Sequence, residues 1–247
     1  MRVGLFVTCI ANLMRPAVGF AALRLLQAAG CEVVVPAGQT CCGQPAYNSG
    51  DFETSRTIAR KWAQDFAGCD YVVVPSGSCA GMIRVHYPRL FAESDMQGEA
   101  VRQLAARTWE LTTFLVEVAG LSQPPGWYQG KITYHDSCSG LRELMVKTAP
   151  RTLLARMPGL VLEEMDGCET CCGFGGTFAV KFGEISSHLA DNKCAAIHAT
   201  GAQAVVAGDL GCLLHIEGRL RRLGDTTTQV LHVAEVLAGR QGEVAWK

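Results

Sequence analysis

Short apolar runs recur along the chain, each followed by a turn of small or polar residues and then by a longer amphipathic stretch. Val3 to Thr8, Glu32 to Pro36 and Tyr71 to Pro75 read as strands in the first half, and Lys131 to His135, Leu160 to Glu164 and Ala204 to Gly208 in the second. Their brevity, their valine content and the Gly, Pro and Ser residues that bound them favour strands over helix segments. Helical periodicity fills the intervals, at Pro16 to Ala29, Thr54 to Phe66, Arg102 to Gly120, Arg151 to Met157 and Glu184 to Ala199. Strands alternating with helices predict parallel β-α units joined by right-handed crossovers.

The pattern is written twice. Cys9, Cys41-Cys42-Gly43 and Cys79 in the first half are followed by Cys138, Cys171-Cys172-Gly173 and Cys212 in the second, at offsets of 129 to 133 residues. Each half also ends on a similar segment, Leu111 to Gly120 and Gln229 to Ala238. The expected architecture is α/β with two duplicated halves related by a pseudo-twofold, each a short parallel sheet flanked by helices. The proline- and glycine-bearing stretch Leu121 to Gly126 reads as the linker, so the repeats are expected over residues 1–122 and 127–247. In an open parallel sheet, ligands gather beyond the carboxyl ends of the strands. All eight repeated cysteines fall there, so four thiols in each half are expected to converge.

Composition sharpens this picture. Twelve cysteines in 247 residues exceed what packing requires, whereas 49% hydrophobic residues, 18% charged residues and a net charge of −1 are ordinary. That balance offers nothing to nucleic acid or to an acidic membrane surface. No apolar run reaches the ~18 to 20 residues of a membrane span, and the run before Cys9 is too short for a signal peptide. A cytoplasmic protein is expected, and in a reducing compartment clustered cysteines bind metal or do redox work.

Thiolates select soft metals, so each set of four points to zinc or to an iron–sulfur cluster. Zinc sites usually take paired ligands as Cys-x-x-Cys knuckles. Adjacent cysteines chelate one ion awkwardly but suit a polynuclear cluster, and a [4Fe–4S] cubane needs four thiolates. Iron–sulfur is therefore the expectation at both sites, with a structural zinc protein as the alternative. Gly43 and Gly173 permit backbone geometry that other residues avoid.

Cys31, Cys69 and Cys194 have no repeat counterpart and read as small buried hydrophobes. Cys168 forms Cys168-x-x-Cys171 and is a candidate spare ligand. His135 stands where the first half has Phe6 and reads as a satisfied strand-end histidine; His232 reads as structural. His86, His188, His198 and His215 show no ligand-like grouping, and Arg219, Arg221 and Arg222 read as a solvated helix end. No Ser-His-Asp arrangement and no Gly-x-Gly-x-x-Gly fingerprint stands out, so the catalytic residues are unassigned.

Leu5-Phe-Val-Thr-Cys9, Gly38 to Gly50, Pro75-Ser-Gly-Ser-Cys79, His135-Asp-Ser-Cys138, Cys171 to Lys181 and His232 to Leu237 together resemble the lactate utilisation protein A family over the whole chain. That family belongs with the Cys-Cys-Gly domain proteins, among them the Cys-Cys-Gly component of heterodisulfide reductase and the iron–sulfur subunits of glycolate oxidase and glycerol-3-phosphate dehydrogenase. The resemblance implies an electron-transfer subunit, inactive alone, of a complex oxidising L-lactate to pyruvate. It further implies an iron–sulfur ferredoxin-like partner, a third subunit, and cluster ligation by Cys9, Cys41, Cys42, Cys79, Cys138, Cys171, Cys172 and Cys212. The wider family often closes each motif as Cys-x-x-Cys; here Ser76 and Asp209 occupy the first of those positions. Asp209 is consequently a candidate oxygen ligand to the second site.

Overall fold

A computed structural model describes residues 1–239. The last eight residues of the expected second repeat lie outside the described residues. In the first half the order is β1 (Arg2–Leu5), α1 (Cys9–Met14), α2 (Ala17–Ala28), β2 (Glu32–Val34), α3 (Gln44–Asn48), α4 (Phe52–Asp65) and β3 (Tyr71–Val74). It continues through α5 (Gly77–Gly81), π and 3-10 turns to Leu90, α6 (Met96–Ala106), β4 (Thr108–Glu110) and α7 (Leu111–Thr113), which runs on into a π turn. The second half repeats the order with β5 (Gly130–His135), α8 (Cys138–Leu144), α9 (Thr148–Ala155), β6 (Leu160–Leu162), α10 (Thr177–Lys181), α11 (Gly183–Ala199) and β7 (Ala204–Ala207). It closes with α12 (Leu210–Arg222), β8 (Gln229–His232) and α13 (Val233–Ala238).

The strands form two parallel sheets of identical topology, β2-β1-β3-β4 and β6-β5-β7-β8. The duplicated α/β architecture expected from the repeat is the one observed. The fourth strand of each half goes beyond the sequence pattern. Arg102 to Gly120, expected as one helix, breaks after Ala106, and Thr108-Trp109-Glu110 pairs with β3. Tertiary pairing overrides local helical periodicity at that point, because the buried Thr108 completes the sheet. The terminal segments consequently align differently from the expected register. Gln229 to His232 is strand, and Glu110 corresponds to His232 as the residue that caps the following helix.

Alternation along each strand divides the interior into three layers. Val3 and Leu5 of β1, Val73 of β3, Ile132 and Tyr134 of β5 and Val206 of β7 face a core shared by both halves. Helices α2 and α13 pack together there, as do α9 and α7, so each half covers its partner's sheet by the pseudo-twofold. The opposite faces bury two separate cores. One is built on Phe66, Val72, Val74 and Trp62, the other on Val205, Cys194, Ile197 and Ile216. Cys31, Cys69 and Cys194 are buried one in each of the three layers, as expected of small hydrophobes.

Asp209 fastens the halves where their strand ends meet. Its Oδ1 caps α12 by accepting from the Gly211 amide at 3.1 Å. Its Oδ2 accepts from the Ser76 hydroxyl at 3.0 Å and the Ser78 amide at 2.9 Å, both across the interface. Beside it α5 and α8 approach so closely that a Cβ on Gly77 would lie 2.8 Å from the Gly140 Cα and from the Ser137 Oγ. Arg15 adds a further link, donating to the Val230 carbonyl at 2.9 Å and pairing with Glu217 at 3.1 Å.

Two outcomes test this account. Gly77→Ala should push α5 from α8 and cost roughly 1–3 kcal/mol of stability, measured by denaturant unfolding; an unchanged midpoint would contradict the close approach. The second concerns His232, whose Nδ1 accepts from the Ala234 amide at 3.1 Å while the Glu235 carboxylate accepts from the His232 amide at 2.9 Å, a capping box. Burial pushes this imidazole down from 6.5 to about 4. A depressed histidine contributes stability above its unfolded pKa and loses it as pH falls toward the folded value, here up to about 3 kcal/mol. His232→Asn keeps a cap acceptor without a titrating ring, so its stability should fall less steeply than that of the wild type between about pH 7 and pH 4.

Candidate metal centres

The eight repeated cysteines all stand just past strand ends. Cys9 and Cys138 open α1 and α8 immediately after β1 and β5. Cys41-Cys42 and Cys171-Cys172 lie in the loops after β2 and β6, and Cys79 and Cys212 lie in the first turns of α5 and α12. Ser76 and Asp209 cap those last two helices and so aim the turns that carry the cysteines.

In the first half the sulfurs of Cys42 and Cys79 lie 3.3 Å apart, and Cys41 engages both Cys42 and Cys9. In the second, Cys171 engages Cys138 and Cys172, and Cys172 engages Cys212. Each set is thus an arc of sulfurs, Cys9–Cys41–Cys42–Cys79 and Cys138–Cys171–Cys172–Cys212. The structure brings together all eight residues singled out from the sequence. The hydrogen bonds from Cys42 and Cys9 hold the Cys41 thiol far below its ordinary range, and those from Cys138 and Cys172 do the same to Cys171. Cys9, Cys42, Cys138 and Cys172 are pushed up, chiefly by the same sulfur neighbours. Metal bound to either arc would take its cysteines as thiolates.

The turn after each cysteine pair supplies an amide to the sulfur. Gly43 N–H donates to the Cys41 Sγ at 3.4 Å and Gly173 N–H to the Cys171 Sγ at 3.3 Å. Both glycines have left-handed φ, 76° and 91°, and a Cβ on Gly173 would strike the Ser186 carbonyl oxygen. The carbonyls are held as well. Cys42 O accepts from the buried Tyr87 hydroxyl at 2.8 Å, and Gly173 O accepts from the Ser186 hydroxyl at 2.8 Å.

Donor chemistry and spacing bear on what fits. Among the described residues, the only group of three His, Cys, Asp or Glu donor atoms within 4.8 Å of one another is His135, Cys172 and Cys212. The four sulfurs of either half are therefore spread along an arc rather than closed about a point. One tetrahedral zinc with Zn–S bonds of about 2.3 Å requires tighter closure, whereas a polynuclear cluster presents several metal atoms to an arc of thiolates.

Several expectations change here. Asp209 spends both oxygens on Ser76, Ser78 and Gly211 and is a fastener between halves rather than a free oxygen donor. The Cys168 side chain engages Asp136 and packs against the core layer that holds Cys172 and Cys212. His135 is fully buried, yet neither ring nitrogen has a hydrogen-bond partner, contrary to the satisfied strand-end histidine expected. Arg219 of the basic run is held by a bidentate pair with Asp191, and Arg221 by the Asp225 and Thr228 carbonyls, in keeping with a helix end.

A cleft of about 620 Å³ runs between the halves and reaches Cys138, Cys171, Cys172 and Cys212. His86 and Glu143 face each other across it with Nε2 and Oε1 3.2 Å apart, and Tyr47 lies against the imidazole at 4.8 Å between ring centroids. Sequence reasoning missed this pair, because its members belong to opposite halves and nothing in their spacing joins them. A smaller cavity of about 70 Å³ lies over Cys9, Cys41, Cys42 and Cys79. The larger cavity of about 780 Å³ at Trp127, Gln203 and Gln229 sits at the other end of the second sheet and contains no cysteine.

No helix among the described residues is long and apolar enough to cross a membrane. The cysteine-rich domain family CCG matches twice, over residues 3–84 and 132–217. The chain is 46% identical to lactate utilization protein A of Geobacillus kaustophilus over 97% of its own length and 100% of the relative's. It is 43% identical to lactate utilization protein A of Bacillus subtilis, with the same coverage of both chains, and 44% identical to lactate utilization protein A 2 of Bacillus cereus, over 96% and 98%. Among solved structures, an aspartate racemase homologue from Pyrococcus horikoshii covers 96% of this chain and 95% of its own at 12% identity and a TM-score of 0.33, too remote to bear on function. With both cysteine-rich repeats in place and relatives matched end to end, the chain belongs to the lactate utilization protein A family of CCG cysteine-rich proteins.

Proposed function

We propose that this protein is the iron–sulfur electron-transfer subunit of a complex that oxidises L-lactate to pyruvate. The observation that carries the reading is the pair of four-sulfur arcs, set side by side across the α5–α8 contact, with the second open to a cleft between the halves. The names of the relatives supply the lactate. Cys9, Cys41, Cys42 and Cys79 would hold one cluster and Cys138, Cys171, Cys172 and Cys212 the other, each with the four thiolates a [4Fe–4S] cubane takes.

A bound cluster supplies one-electron transfer. The chain's own residues do the rest. The Gly43 and Gly173 amides place positive dipole ends against sulfur, which favours the reduced, more negative state. Tyr87 and Ser186 fix the carbonyls of the cysteine loops, so the loops need not reorganise as charge changes. Asp209 and the Gly77–Gly140 contact keep the two arcs at a constant separation.

Lactate oxidation releases two electrons and two protons, a step that normally falls to an organic cofactor. The sequence carries no nucleotide fingerprint, so that step is assigned to a partner. The partners in this reading are an iron–sulfur ferredoxin-like subunit and a third subunit, and the setting is cytoplasmic.

Protein purified without oxygen should be brown and contain iron and acid-labile sulfide. Cys42→Ser and Cys172→Ser should each remove roughly half of the iron, since each breaks one set of four thiolates. Colourless protein with stoichiometric zinc and no sulfide would overturn the cluster reading in favour of a zinc scaffold. Emptying of both sites by either change would overturn their independence.

The electron-transfer role has its own test. Lactate should bleach the visible absorbance of the chain only when the partner subunits are present. Turnover of a disulfide by the isolated chain, with no response to lactate in the full complex, would assign it instead to heterodisulfide-reductase chemistry.

A further inference from the structure

The two halves match in their cysteines and differ at one position inside the site. At the end of β1 the first half has Phe6, buried against Phe66 with ring centroids 5.9 Å apart. At the end of β5 the second half has His135, fully buried on the face that looks away from the shared core. An imidazole in such a place must find a partner or lose the hydration it had in water. Neither of its ring nitrogens has a hydrogen-bond partner, and a ring nitrogen lies within 4.8 Å of the sulfurs of both Cys172 and Cys212. That places the imidazole within reach of a metal atom held by either of those sulfurs.

The surroundings hold the ring there. The next residue, Asp136, is buried, accepts both terminal nitrogens of Arg151 at 2.8 and 2.9 Å, and donates its amide to the Cys168 carbonyl at 3.1 Å. That clamp fixes the strand end from which His135 projects. His215 and His86, also near the cleft, are already engaged, with the Ser186 hydroxyl at 3.2 Å and with Glu143.

We propose that His135 supplies a nitrogen ligand to the metal centre of the second half, an additional ligand with no counterpart in the first. The inference rests on the cluster reading given above. Its consequence is electronic: a nitrogen donor present at the second centre and absent from the first sets the two reduction potentials apart.

The test uses the whole protein purified without oxygen, prepared once at natural nitrogen abundance and once with histidine labelled by nitrogen-15, then reduced and examined by pulsed EPR alongside iron and sulfide analysis. A strong nitrogen coupling that changes isotope pattern on histidine labelling is expected. It should persist in His215→Gln and His86→Gln and vanish in His135→Phe, which gives the second half the first half's residue. In His135→Phe the iron and sulfide content should stay at the wild-type level while one step of a redox titration shifts and the other stays in place. Full iron and sulfide without histidine-nitrogen coupling would overturn the ligand and leave the cluster reading standing. A coupling that survives in His135→Phe, or disappears in His215→Gln or His86→Gln, would overturn the assignment. Protein without iron would overturn both.

Discussion

The Asp209 carboxylate is buried at the junction of two sheets and caps a helix in each half at once. One oxygen serves its own α12, and the other takes the Ser76 hydroxyl and the Ser78 amide at the start of α5. Those two helices carry Cys212 and Cys79, so one acidic group sets the direction of a ligand-bearing turn on either side of the interface. A buried carboxylate with no partner would be costly, and this one receives three hydrogen bonds. The contact at Gly77 and Gly140 follows from the same docking, because the helices can be drawn together only where neither has a side chain. Removing this junction would leave each arc intact within its half and abolish the relation between them.

Symmetry explains why such a junction is needed. Each half has a sheet whose inner face is covered by a layer that both halves supply, α2 with α13 and α9 with α7. Shared burial of this kind gives strong association but little angular precision at the strand ends, since apolar contact is non-directional. Hydrogen bonds supply the direction. The Ser76–Asp209 pair occupies equivalent positions in the two repeats, and a symmetric Ser–Ser or Asp–Asp pair would lack either the charge or the donor. The departure from exact repetition is therefore structural in origin at this position.

The cysteine sites were legible in the sequence because their signal was periodic. Eight cysteines repeating at nearly constant offset, each after a short strand-like run, require only the rule that parallel strand ends share an edge. Boundaries governed by tertiary pairing were less legible. Thr108-Trp109-Glu110 lies in a helical pattern, and only the free edge of β3 draws it into the sheet. Asp209 reads as a potential ligand because it occupies a motif position, while its partners lie in the other repeat and are invisible until the halves dock. The His86–Glu143 pair escapes for the same reason. His135 reads as an ordinary strand-end histidine because sequence registers its position but not the empty hydrogen-bonding space around its ring.

For the proposed electron-transfer role, duplication with local divergence is also a route to directed flow. Two identical four-thiolate sites on a symmetric scaffold would have equal potentials, and an electron would gain nothing by moving between them. What separates them must come from the immediate surroundings, since the four cysteines and the fold are common to both. The differences between the halves cluster where they can act. Phe6 faces His135, the open turn around Gly175 and Gly176 has no counterpart after Gly43, and only the second strand end is held by a buried ion pair, Asp136 with Arg151. All of these lie on the second arc, the one exposed to the cleft. The first arc lies under a far smaller opening and has an apolar neighbour in place of the imidazole. The asymmetry is thus confined to the arc that the larger cleft reaches, while the first arc keeps a plainer, apolar neighbour.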